Sequence, residues 1–277
     1  MIVGRLAVGQ VRWNRRDVEK SVMTQNPFET PENPQTAEIA TDRKSFSLWK
    51  ILAIIGVNVL LIVLILPATR SAPEADSRTK CLNNLRNVTL ALISYANKHK
   101  AFPPAYTLDA NGNRLHSWRT LILPYLDQQA LYESIDLLRP WNDPANAKAY
   151  GTELDVFSCP AAKLSGGLTT YLGNATTNGC FTGDRPRPIS EITDSPDQTV
   201  LVAEVATTQA VHWMAPQDAD ESILLNFGSG IKSAHIGVVN AGFVDGTVHA
   251  LSVNLESNVR RSLFTASGND AISATEF

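Results

Sequence analysis

Residues 239–252 read VNAGFVDGTVHALS, two short runs of β-branched and small apolar residues on either side of Asp245-Gly246. Asp-Gly between such runs is a strong short-range hairpin signal, because a two-residue type I′ turn needs positive φ at both central positions. In that register Phe243 pairs with Val248, and His249 lies opposite Gly242. A second β-type run, TVLVAEVA, covers residues 199–206, so the later half of the chain predicts an antiparallel sheet.

Upstream the period changes. Cys81, Leu85, Val88, Leu92 and Tyr95 recur at alternating steps of four and three, which puts them on one stripe of a helix over residues 77–100. That stripe requires a sheet to cover it. Phe102-Pro103-Pro104 ends the helix, and D-A-N-G-N at residues 109–113 is turn chemistry. A further amphipathic helix is predicted over residues 126–138, with Leu131, Tyr132 and Ile135 facing inward. Helix first and antiparallel sheet later is an α+β order. No internal repeat or βαβ alternation is present, and without G-x-G-x-x-G or a P-loop a nucleotide site has no support.

Further toward the start, residues 51–66 read ILAIIGVNVLLIVLIL, sixteen residues without a charge and with Asn58 as the one strongly polar member. With residues 46–49 and Ala68 the segment is about long enough to cross a hydrocarbon core. Arg43, Lys44 and Lys50 stand on one side, Arg70 on the other, and Trp49 suits an interfacial anchor. More than forty residues precede it, too many for the short n-region of a cleaved secretory signal. The organisation expected is a flexible cytoplasmic tail over 1–45, a transmembrane helix over 46–68, an extracytoplasmic domain over 77–265 and a C-terminal tail over 266–277. Pro67 and Pro73 are expected to kink or interrupt a helix continuing from the anchor, with a second helix following. Met23 offers an alternative start.

Composition narrows the function. Of 277 residues, 44% are hydrophobic, which excludes a largely disordered chain, and a net charge of −3 without a basic stripe excludes a nucleic-acid binder. Three cysteines are too few for a disulfide scaffold and lack zinc-ribbon spacing. Cys159 and Cys180 would close a loop of about twenty residues, worth about 3 kcal/mol if oxidised, and Cys81 is an equally good partner.

Several separate motifs follow one another in order. Leu66-Pro67-Ala68 ends the apolar run, then come Cys81-Leu82-Asn83-Asn84-Leu85, Phe102-Pro103-Pro104-Ala105 and His116-Ser117-Trp118-Arg119. Leu123-Pro124-Tyr125-Leu126-Asp127-Gln128-Gln129, Pro140-Trp141-Asn142-Asp143-Pro144 and Phe157-Ser158-Cys159-Pro160 continue the series. It closes with Phe227-Gly228-Ser229 and with His235 nine residues before Asp245-Gly246. Over roughly residues 46–265 the chain resembles the prepilin-like family of unknown function found in planctomycete-type bacteria. That family has a type IV pilin-like N-terminal helix, a Cys-x-Asn-Asn-Leu segment and a C-terminal H-x(9)-D-G motif.

The resemblance implies a pseudopilin-like fold in the bacterial inner membrane, with an amphipathic helix packed on a mainly antiparallel sheet. It also implies Cys81, Asn83, Asn84, His235, Asp245 and Gly246 as motif positions. Where the family's cleavage region has glycine and glutamate, this chain has Ser45 and Lys50. The lysine reverses the charge of the family's assembly glutamate, which points to a permanently anchored relative rather than a processed filament subunit.

Chemistry-bearing residues are sparse. His235 and Asp245 with Ser229 or Ser233 suggest a triad, but there is no G-x-S-x-G elbow, so Asp245 reads as a turn residue and His235 as a partner of strand-edge backbone groups. His212, His235, Asp245 and His249 match no zinc spacing, and Asp218, Asp220 and Glu221 read as a solvated acidic loop rather than a calcium site. Trp118, Trp141 and Trp213 suggest a sugar- or peptide-binding surface. The expectation is therefore a non-enzymatic, single-pass structural or assembly protein with no cofactor or metal. Its partners would be the membrane and other pilin-like subunits or secretion components. The alternative is an anchored solute- or polysaccharide-binding module.

Overall fold

The computed structural model describes residues 47–227 and 233–269, without the side chains of residues 63–75. The described residues divide into two compact units, split between Gly56 and Val57. In chain order the elements are α1 (Leu48–His99), β1 (Ala101–Phe102), β2 (Tyr106–Leu108), β3 (Arg114–Ser117), α2 (Trp118–Leu121), α3 (Gln129–Glu133) and α4 (Ala147–Tyr150). They continue with β4 (Leu168–Thr169), β5 (Tyr171–Gly173), β6 (Arg187–Pro188), β7 (Val200–Glu204), β8 (Val211–His212), α5 (Glu221–Leu224), β9 (Val238–Phe243), β10 (Val248–Ser252) and α6 (Ser257–Leu263). The fold is α+β, with every strand pairing antiparallel.

The expected break between two helices is corrected: α1 is one helix of 52 residues that runs through Pro67 and Pro73. Each proline removes one backbone bond and crowds the preceding turn, and the bonds on either side carry the helix past it. It ends where Lys100 adopts φ +61°, with Lys98 and His99 in the last turn complementing the carbonyl end of the helix dipole. Among the described residues no helix is long and apolar enough to cross a membrane. The side chains of 63–68, the far end of the expected anchor, lie outside the description, as do residues 1–45 of the expected tail.

The main sheet has the order β10-β9-β7-β5. Its central strand β7 is buried at all five positions. A register shift between Val200 and Val202 breaks the two-residue alternation, so Leu201 and Val202 both join the core beneath α1, while Val200 and Ala203 join the opposite one. The first core holds Cys81, Leu85, Val88 and Leu92 of α1, as the stripe predicts, with Tyr95 partly buried beside it. The second joins the sheet to Leu224, Val259, Leu263 and Phe264.

The hairpin register is corrected by one residue: Val248 pairs with Gly242 and His249 with Ala241. Only Gly246 of the turn has positive φ, at +92°. Gly246 N donates to Phe243 O at 3.0 Å, and Phe243 N donates to Thr247 O at 2.9 Å. This is a three-residue loop, a type I turn followed by a left-handed glycine, in place of the two-residue type I′ turn. Asp245 holds it by accepting from Thr247 N at 2.8 Å and from Thr247 Oγ1 at 2.7 Å.

Two further expectations shorten. The helix over 126–138 contracts to α3, because Asp127 sits at φ +58° and the chain turns after Ser134. The expected tail from residue 266 is pinned at its start: Ala266 is buried and donates to Asn178 O at 2.8 Å. Gly268 N and Asn269 N donate to the Asp194 carboxylate at 2.8 and 2.7 Å. Residues 270–277 lie outside the described residues.

α1 approaches the sheet closely because β9 offers Gly242, where a Cβ would collide with Thr89 Oγ1 and stand 3.2 Å from Thr89 Cβ. Gly242→Ala should therefore destabilise the domain by about 1–3 kcal/mol, read as a lowered urea midpoint. Adding Thr89→Ala to the same chain should restore part of the loss.

Candidate functional site

Among the described residues, two clusters of buried polar side chains bear on the site. At the first, α1 delivers Cys81, fully buried, and the loop after the turn Asp155–Phe157 delivers Cys159. Their sulfurs are bonded across a separation of 78 residues. In the chain-entropy picture, closing a loop of that size is worth about 4–5 kcal/mol. Asn84, three residues along α1, clamps the incoming loop by donating to Asp155 O at 2.7 Å and Ser158 O at 2.8 Å. Tyr171 donates its hydroxyl to Cys81 O at 3.0 Å. Burial, and behind it the Glu204 carboxylate, pushes the Tyr171 pKa upward, which keeps that hydroxyl protonated as a donor.

His235 stands against this sulfur pair. Its Nε2 is 3.5 Å from Cys159 Sγ and 3.3 Å from Glu204 Oε2, with the His235 and Glu204 side chains 5% and 1% exposed. Glu204 ends β7, and its Oε2 accepts from Asn240 Nδ2 at 2.8 Å. Thr170 Oγ1 donates to its Oε1 at 3.5 Å. Asn240 is fully buried, and its Oδ1 has no hydrogen-bond partner among the described residues. The donor atoms of Cys81, Cys159 and His235 lie within 4.8 Å of one another, the grouping among the described residues that could hold a metal ion.

The second centre is Arg119, wholly buried on α2. It donates to the carbonyls of Trp213, Tyr171, Ala215 and Gln217 and meets Asp218 Oδ1 at 2.8 Å. That same oxygen accepts from Trp118 Nε1 and Gly173 N, each at 2.8 Å. Burial pushes the Asp218 carboxyl above its ordinary range, an effect that the adjacent guanidinium offsets only in part. With donors fanned over the carbonyls of Trp213, Ala215 and Gln217 and paired with Asp218, Arg119 fixes the course of residues 213–218.

The structure brings together Cys81, Asn84 and His235, with Cys159, and leaves the other sequence candidates elsewhere. The Cys159–Cys180 pairing is corrected to Cys81–Cys159. Cys180 is a buried thiol whose pKa burial pushes up to about 12. Asn83 is exposed, and Asp245 with Gly246 forms the hairpin turn, where the Asp245 carboxylate bonds to Thr247 rather than to His235. His235 faces sulfur and carboxylate rather than strand-edge backbone, and Ser233 donates to Val238 O. Ser229 lies outside the described residues.

Trp118 and Trp213 are fully buried and line no surface. Trp141 is partly exposed and stacks on His212, which in turn stacks on Tyr150. Of the acidic trio only Asp218 leaves solvent, buried against Arg119; Asp220 is exposed and caps α5, and Glu221, partly exposed, accepts from Thr177 N. Sequence reasoning missed Glu204, Asn240 and Arg119. The available signal was a lone carboxylate inside the apolar run TVLVAEVA, since a charge in a buried strand requires a partner.

These features define a disulfide-locked α+β domain with a His-Glu pair set against its sulfurs. A family model described as a protein of unknown function (DUF1559), labelled SBP_bac_10, matches residues 70–224, and the chain belongs to that planctomycete-type family. The match ends before His235. No curated protein and no solved structure matches the chain.

Cys159→Ser should lower stability by up to about 4 kcal/mol in urea unfolding, while Cys180→Ala under oxidising conditions should cost far less. A second expectation concerns pH. Burial holds His116 and His212 below the usual imidazole range, so the folded chain binds fewer protons than the unfolded chain near pH 6. Their contribution is therefore full above the ordinary value of about 6.5 and is lost as pH falls below it. The urea midpoint should drop between about pH 7 and about pH 5, and His116→Gln should flatten that slope.

Proposed function

We propose that this protein is a membrane-anchored, pseudopilin-like assembly protein that displays its disulfide-locked domain outside the cytoplasm and works through protein contacts. The observation that carries this reading is the start of α1. Leu48, Trp49, Leu52 and Leu60 are 77%, 67%, 66% and 60% exposed, and Ile51, Ile54, Ile55, Val57, Val59, Leu61 and Ile62 are exposed with them. A helix apolar on all sides is stable only against lipid or other helices. A span of about twenty residues draws on residues 63–68 as well.

The Cys81–Cys159 bond supports an oxidising compartment for the domain. Lys50 in place of the pilin-like glutamate supports a fixed anchor over filament incorporation. A cavity of about 270 Å³, bordered by Thr177, Glu221, Arg261 and Phe264, favours a second reading as an anchored solute-binding module.

After alkaline carbonate washing, the full-length chain should remain in the membrane pellet, and Leu52→Arg with Val59→Arg should shift it to the soluble fraction. Single cysteines at Leu60 should crosslink between chains if helices assemble. Release of the unaltered chain by the wash removes the anchor and with it the assembly reading. A solute that raises the melting temperature of the unaltered chain, but not of Arg261→Ala, supports the second reading.

A further inference from the structure

The covalent bond explains why two sulfurs meet beneath α1, but it does not explain what is set against them. A disulfide offers only weak acceptors, so burying an imidazole and a carboxylate beside it costs desolvation that the sulfurs do not return. The geometry has a different match. In a tetrahedral zinc site, bonds of about 2.3 Å to sulfur and about 2.0–2.2 Å to nitrogen and oxygen set neighbouring donor atoms roughly 3.3–3.8 Å apart. Cys159 Sγ and His235 Nε2 are 3.5 Å apart, and His235 Nε2 and Glu204 Oε2 are 3.3 Å apart.

We propose that, when its two sulfurs are reduced, the cluster of Cys81, Cys159 and His235 is a zinc(II) site with Glu204 as the fourth donor, formed as the alternative to the disulfide. Two thiolates and an imidazole select zinc over magnesium or calcium. Sulfur, nitrogen and oxygen donors come from four separate segments, so the bound ion ties α1, β7 and the Cys159 and His235 loops as the disulfide ties two of them. Asn240, which donates to Glu204 at 2.8 Å, holds the carboxylate as outer partners of metal ligands do. Glu204 lies outside the group of donor atoms within 4.8 Å of one another, so its side chain moves toward the sulfurs when the ion enters.

The exchange balances with a dithiol as reductant. Two electrons and two protons pass to the Sγ–Sγ bond, which breaks to give two thiols, and the dithiol leaves as its own disulfide. Zinc then displaces both thiol protons to solvent. Thiol exchange with a disulfide oxidant, which takes up the two electrons and two protons and leaves as a dithiol, re-forms the Sγ–Sγ bond and expels the ion. The proposal does not depend on the anchor.

The test uses the full chain, reduced anaerobically with a phosphine, which becomes its oxide with oxygen from water, and then titrated with zinc chloride against a chromophoric chelator. One zinc per chain is expected in the reduced protein and none in the oxidised protein. Affinity should fall by a factor on the order of a hundred in both His235→Ala and Cys159→Ser. Cobalt(II) in place of zinc should give thiolate charge-transfer absorption that His235→Ala alters. If reduction unfolds the chain, zinc should restore its circular dichroism in the unaltered protein and fail to do so in His235→Ala. A folded reduced chain that binds no zinc, zinc binding indifferent to His235→Ala, or a reduced unfolded chain that zinc does not restore would each overturn the site.

Discussion

Residues 81–89 of α1 carry the constraint on which the rest of the domain depends. At one end Cys81 is bonded to Cys159, and at the other Thr89 lies against the bare backbone of Gly242. Between them Leu85 and Val88 are fully buried. A covalent bond and a glycine groove together fix both the height of the helix over the sheet and its rotation. The close approach explains why β9 presents no side chain at residue 242, and why the helix can bury its stripe without a layer of larger residues between.

Around that contact the interior holds polar groups whose bonds organise loops. Arg119 spends its donors on four carbonyls and Asp218, so a long irregular segment acquires a defined path without secondary structure of its own. Asn84 does the same at smaller scale for the loop that brings Cys159 to the helix. A domain whose named strands are mostly two to five residues long gains much of its order from such side-chain-to-backbone bonds. The His235–Glu204–Asn240 chain belongs to this pattern, but with one difference: it leads to sulfur.

Much of the fold was legible because it rests on local patterns. Steps of four and three placed the α1 stripe, β-branched runs placed β7 and β9, and Asp-Gly placed the turn that joins β9 to β10. The errors share a cause. Pro67 and Pro73 are local helix breakers, yet a long helix tolerates the loss of isolated bonds. The type I′ turn and the observed three-residue turn both accept Asp-Gly and differ by one residue in register. The tryptophans were ambiguous because an aromatic side chain reads alike on a surface and in a core, and burial separates them only after folding.

By itself the sequence determined the α+β class, the inward face of α1 and the apolar character of its first turns, since each follows from residue type and short-range period. Tertiary structure alone decided which cysteines meet, that Glu204 and Asn240 stand behind His235, and that Arg119 is buried against Asp218. Those contacts join residues from 31 to 99 positions apart, from Glu204 with His235 to Arg119 with Asp218. Spacing along a chain carries no information about distances set by the packing of a helix on a sheet.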